Sequence, residues 1–141
     1  MPYRGAGPAL ADLLGGQVQV TFASMPSSVG YIRIGKLRAL ASTAATRSEA
    51  LPDVPSLNDF LPGYDASTWL GIGAPKNTPP DIVEKLNKEI NAVLADPAME
   101  ARIANFGYTA FASSSAEFGK FIAEDIQKWA KVVKFAGIRP D

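Results

Sequence analysis

The residues best suited to chemistry lie near the start of the chain. Gly5-Ala6-Gly7-Pro8 is a glycine-rich turn that feeds a helix. Such a turn presents backbone N–H groups and the positive end of the helix dipole, which suits a carboxylate or a phosphate. Tyr3 and Arg4 would add a hydroxyl and a cation beside it. The same residues also read as a plain turn with a solvent-facing arginine, since the third glycine of a dinucleotide fingerprint is missing and no Gly-Lys-Ser/Thr follows. A second candidate is Ala23-Ser24-Met25, just past a predicted strand, where open α/β folds place ligands. An ordinary connection with Ser24 as a helix cap accounts for it equally well. A third is Ser67-Thr68-Trp69, whose indole would wall an apolar pocket or fill a core or a domain interface.

Acid–base chemistry finds less footing. Glu124-Asp125, Asp53 and Asp59 have lysines nearby and no motif around them, so they read as solvated surface charge. Lys120, Lys128, Lys131 and Lys134 read as the wet side of the last helix, with no interleaved aromatics that would make a nucleic-acid surface. The chain has no histidine and no cysteine. That excludes Ser-His-Asp and Cys-His catalysis, His or Cys zinc sites, disulfides and thiol redox chemistry within these residues.

The elements that would position these groups follow from pattern. Leu10, Leu13 and Leu14 share one face of a short helix with Pro8 at its first position, stopped by Gly15-Gly16. Val18, Val20 and Phe22 alternate as a strand over 18–22, a second helix opens at Met25-Pro26 and runs to about Ile34, and 37–41 is a buried strand. Pro52, Pro55, Pro62 and Gly63 then punctuate a crossover over 43–65, with one brief helical candidate at 56–61. Residues 67–74 are a glycine-bearing strand. Thr78 with Asp81 forms a capping-box-like start, with Pro79 first in a helix whose Ile82, Leu86, Ile90, Val93 and Leu94 share a face. Asp96-Pro97 opens another helix, closed by Gly107, and 108–112 is a short strand. Ser114 and Glu117 cap a long last helix with Phe118, Phe121, Ile122, Ile126, Trp129 and Val133 on one stripe, ended by Gly137 and Pro140, and Trp129 reads as core. Strands alternating with helices predict an α/β class with a largely parallel sheet.

Composition sets the bounds. Of 141 residues, 47% are hydrophobic and 20% charged, enough to bury a core. Fourteen basic residues balance fourteen acidic ones, so no net field draws the chain to nucleic acid or to an anionic membrane. No stretch approaches the roughly 20 apolar residues that span a bilayer.

The residues also carry a family likeness. Pro2-Tyr3-Arg4-Gly5 with PALADLLGGQV, then GKLRALAST, RSEALPDVPSL, PGYDASTWLGIGAP and a closing helix ending KWAKVVKFAGI, resemble in order and spacing the solute receptors of tripartite tricarboxylate transporters, the Bug family. The likeness covers essentially all 141 residues. It implies a partial type II periplasmic binding protein fold, α/β, with pieces of two lobes and largely parallel sheets. Residues 1–62 would be part of the second lobe with the crossover, and 63–141 the C-terminal part of the first. It implies a receptor and not an enzyme, holding a small carboxylate in the cleft between lobes and delivering it to a membrane permease, with no cofactor, no metal and no nucleic acid. Carried over, Tyr3, Gly5, Ala6, Gly7, Ala23 and Ser24 form the expected site, with backbone donors of the turn holding a carboxylate directly or through water. Many relatives have an acidic residue where Ala23 stands, a departure that argues against recognition of a ligand amine.

The likeness starts in the middle of the family pattern, so the signal peptide, most of the first lobe and part of the second are expected to lie outside this chain. Met1 stands where relatives commonly show valine, which fits a start assigned at an internal GTG codon. The resemblance implies a periplasmic address, whereas the opening residues carry no apolar signal core and the chain as written would stay cytoplasmic. Unpaired sheet edges and uncovered helix faces would favour self-association. A half cleft is expected not to bind carboxylates as a monomer. The alternative to a receptor is a self-associating or half-complementing interaction fragment. A small anion-binding enzyme ranks below both, for want of a base or nucleophile.

Overall fold

The computed structural model describes residues 3–138. Its helices start and stop where local chemistry dictates. They are α1 (Ala6–Leu14), α2 (Met25–Arg33), α3 (Pro80–Leu94), α4 (Pro97–Asn105) and α5 (Ser115–Ala136), with a single 3-10 turn at Leu57–Asp59. Four of them end alike, on a left-handed glycine (Gly16, Gly35, Gly107 or Gly137) whose N–H, with that of the next residue, turns back onto carbonyls of the last turn. The capping box of α5 forms as expected: Ser114 Oγ accepts from the Glu117 N–H at 3.2 Å, and the Glu117 carboxylate accepts from the Ser114 N–H at 2.9 Å. The one expected at α3 does not. Pro79 is the N-cap there, and Thr78 Oγ1 donates instead to the Pro75 carbonyl at 2.8 Å. Pro8 is the third residue of α1 and not the first, at no cost, because that position also lacks an intrahelical acceptor. Pro140 lies outside the described residues, as do Met1 and Pro2.

The four expected strands differ from the structure. Residues 18–22, 37–41, 67–74 and 108–112 form no ladder among the described residues. The one bridge recorded there is parallel, between Ser42 and Ser56, with the Ser42 N–H on the Pro55 carbonyl and the Leu57 N–H on the Ser42 carbonyl, both at 2.8 Å. A helix closes its hydrogen bonds within itself, but an extended segment becomes a strand only beside another one. Alternation in the sequence supplies the tendency and not the neighbour.

That bridge sits in a tightly tied crossover. Ser56 is wholly buried, and its Oγ donates to the Ala44 carbonyl at 2.6 Å while accepting from the Asn58 N–H at 3.0 Å. Asp59, expected as plain surface charge, is a clasp: its Oδ2 accepts from the Ser56 N–H and from Arg47 Nε and Nη2 at 3.2 and 2.9 Å.

The chain forms two compact units, Met1–Ile72 with Pro97–Ala110, and Gly73–Asp96 with Phe111–Asp141. Residues 63–72 and α4 belong to the first compact unit. In the first unit α1 packs on α2, and among the described residues the buried apolar side chains are Leu10 and Val29. In the second α3 packs on α5, and neither helix has a fully buried residue. Trp129 is half-buried, not core, with Lys128 Nζ 5.5 Å from its ring centre. The accessible surface is 11030 Å². Phe22, Leu70 and Phe135 are 86%, 80% and 95% exposed, so large apolar groups stand where a core would ordinarily cover them.

Candidate functional site

A cavity of about 490 Å³ opens in the first unit, and Tyr3, Gly5, Ala6, Ala23 and Ser24 all stand on its wall. These are five of the six residues expected from sequence. Gly7, one residue into the first turn of α1, is not on the wall.

Local backbone chemistry explains the placement. Gly5 is the N-cap of α1 at φ 108° and ψ 178°, a conformation that side chains disfavour even though a Cβ there would meet nothing within 4 Å. The dihedral, not the space, asks for glycine. No side chain caps α1 and no acidic residue lies in its first turn. The N–H groups of Ala6 and Gly7 have no acceptor among the described residues, and Pro8 has none to offer. Ser24, extended at φ −67° and ψ 143°, is the N-cap of α2, whose first turn also lacks an acid. Its carbonyl is already taken by the hydroxyls of Ser27 and Ser28 at 2.7 and 3.1 Å, and its own Oγ lies 3.1 Å from Ser27 Oγ. Two helix N-termini therefore border one cavity, with α1 the more open. Both partial charges at that end are positive, and among the described residues no acidic one lines the cavity.

Tyr3 plays a different part from the free hydroxyl expected. Its OH donates to Asp12 Oδ2 at 2.8 Å, tying the approach segment to the second turn of α1. That hydrogen bond is the main reason its pKa is raised above the usual 10.0, with loss of water and the charge of Asp12 adding to it. With its proton committed to Asp12, Tyr3 offers a ligand its ring face and an oxygen lone pair. Arg4 is exposed and not on the wall. Nor are Ser67, Thr68 and Trp69, the last of which is 40% exposed.

Sequence reasoning missed two features. Asp12 as the partner of Tyr3 carried no local signal, because the pair is nine residues apart. The remaining wall joins Leu10, from the leucine face of α1, to Val18, Val20, Thr21 and Phe22, a segment whose alternation predicts a strand and not a cavity wall.

Comparison with known proteins gives this geometry a context. The family model of the tripartite tricarboxylate transporter family receptor matches residues 1–138. Protein BugT of Bordetella pertussis is 40% identical over 99% of this chain and 43% of its own length. Among solved structures, an R. palustris protein with adipate superposes on the whole of this chain and 48% of its own, at 33% identity and a TM-score of 0.92. The periplasmic binding protein BugD does so at 32% identity and 0.87, again over 48% of its own chain. MatC of Rhodopseudomonas palustris with bound malate covers 94% of this chain at 31% identity and 0.82. The chain thus spans under half the length of these relatives and shares the α/β periplasmic-binding-protein architecture of the matching part. It belongs to the receptor family of the tripartite tricarboxylate transporters.

Proposed function

We propose that this chain supplies a carboxylate-binding wall of an extracytoplasmic solute receptor, which passes small carboxylates to a tripartite membrane permease. The observation that carries the reading is the pair of helix N-termini at one cavity free of acidic residues. Unbonded N–H groups of α1 would hold the carboxylate oxygens, directly or through water, and the dipole ends of α1 and α2 would favour its charge. Gly7 contributes through its N–H from behind the wall, and Ala23 and Ser24 shape the opposite side. Relatives solved with adipate and malate support the ligand class. The role is binding and release without chemical change, at a periplasmic address.

The exposed apolar side chains favour a second reading, in which the chain functions as an interaction fragment that pairs with a complementing half or with itself. The two readings part in one experiment. Calorimetry with succinate is run on the chain alone and on the chain mixed with that part of a BugT-type receptor which has no counterpart here, with light scattering on both. A one-to-one complex that binds succinate supports the receptor reading. A folded complex that takes up no di- or tricarboxylate overturns it. A homodimer that ignores both the added half and the ligand leaves the interaction fragment.

A further inference from the structure

The wall of the cavity carries information about the body of the ligand as well as its charged end. Leu10, Val18, Val20 and Phe22 line it together with the methyl groups of Ala9 and Ala23. The hydroxyls on the wall are three, and two of them are engaged: Tyr3 OH donates to Asp12 at 2.8 Å, and Ser24 Oγ sits 3.1 Å from Ser27 Oγ. Only Thr21 keeps a hydroxyl without a hydrogen-bond partner among the described residues. Among the side chains of this surface a ligand hydroxyl would find Thr21 as its one uncommitted hydroxyl partner, whereas a methyl or methylene would gain contact along the strip.

We infer that this site selects carboxylates with a hydrocarbon body, alkyl or aryl, over hydroxylated ones of the same charge and length. The inference rests on the proposed carboxylate-binding role and names the substrate class within it. The polar ends of the ligand are read by backbone N–H groups, which recognise any carboxylate alike. Discrimination falls to the apolar strip from Val18 to Phe22, which has one donor side chain, Thr21, in its middle.

Three dianions test it: succinate, 2-methylsuccinate and malate, which differ only in carrying hydrogen, methyl or hydroxyl at one carbon. Amide shifts of the isotope-labelled chain, held in its complex with the complementary part of a BugT-type receptor, are titrated with each at millimolar concentration, with sodium sulfate at equal ionic strength as control. Shifts at Gly5, Ala6, Gly7, Ala23 and Ser24 are expected for all three. Methylsuccinate should bind at least as tightly as succinate, and malate about fivefold or more weaker, within the limit of roughly 100-fold set for a single added hydroxyl. Equal affinities, or malate the tightest, overturn the inference and leave the carboxylate role standing. No shift with any dianion beyond that of sulfate overturns the carboxylate role itself. Val20→Ser, on an exposed wall position, should raise malate relative to methylsuccinate, and an unchanged ratio in a variant of unaltered helical circular dichroism also counts against the inference.

Discussion

The two units use the same devices to begin and end helices, but they differ in what surrounds those helices. In the second unit the lead-in to α5 is latched. Asn87 and Asn91 of α3 both donate to the Ser113 carbonyl, at 3.0 and 2.9 Å, and Asn91 Oδ1 accepts from the Ser113 N–H at 3.3 Å. Helix, latch, cap and next helix follow in a chain of polar contacts, each satisfied within the unit. In the first unit α1 and α2 are held by a small apolar contact around Leu10 and Val29, and the segment 18–24 between them borders a cavity in place of a packed neighbour. The difference bears on the binding wall proposed for the first unit. Helix ends left uncapped and extended backbone left unpaired keep donors available, at a cost in local stability that the latched and capped start of α5 avoids.

The largest effect should come from the place where the end of α4 meets the head of α2. Gly107, at φ +79°, closes α4, and a Cβ there would run into Met25 Cγ at the head of α2. Gly107→Ala adds that clash to a strained backbone and should destabilise the first unit by about 2–3 kcal/mol, read as a lower denaturation midpoint by circular dichroism. Met25→Ala in the same chain should recover part of the loss by removing the clash and leaving the dihedral strain. If Gly107→Ala costs nothing, α2 is not anchored through α4.

A smaller loss is expected in the second unit. Asn91→Ala removes two of the three latch bonds on Ser113, leaving the one from Asn87, and should cost about 1–2 kcal/mol. Hydrogen exchange should show the loss concentrated at the start of α5, with α1 and α2 unaffected. Uniform loss across the chain would mean that the units unfold as one and that the contrast between them is not energetic.

The smallest effect concerns the cap of α5. Ser114→Ala should cost about 1 kcal/mol and fray the first turn of that helix. The pH dependence sharpens the assignment. Hydrogen bonds from the Ser114 hydroxyl and N–H hold the Glu117 carboxyl below its ordinary 4.5, so the folded state binds that proton more weakly than the unfolded chain. The contribution is therefore fully present above the unfolded value and is lost as pH falls through the lowered folded one. In wild type the amide signals of Ser114–Glu117 should lose protection over that acid range, and in Ser114→Ala this step should be reduced. Tyr3 works in the opposite sense: its raised pKa means that the bond to Asp12 helps below the ordinary tyrosine range and is lost as pH rises through the higher folded value.

Much of this was written in the sequence. The glycines at 16, 35, 107 and 137, the Ser114–Glu117 box and the leucine face of α1 each specify a helix boundary or surface through bonds a few residues apart, so reading them needed no knowledge of the rest of the chain. The glycine turn pointed to the uncapped end of α1 for the same reason, and Ser24 to the start of α2. Where local cues competed, the reading slipped by one or two residues, as at Thr78 and Pro8, because adjacent positions in a helix first turn lack acceptors alike and proline suits several of them. Tertiary structure alone decided the rest. The pairing of Tyr3 with Asp12, the clasp of Arg47 and Asp59 around Ser56, and the meeting of 3–6 with 18–24 around one cavity join residues whose separation no periodicity encodes. The alternating segments show the limit most clearly: the residues set which way their side chains can face, but a ladder needs a neighbouring backbone, and whether they become strands is settled by what lies beside them.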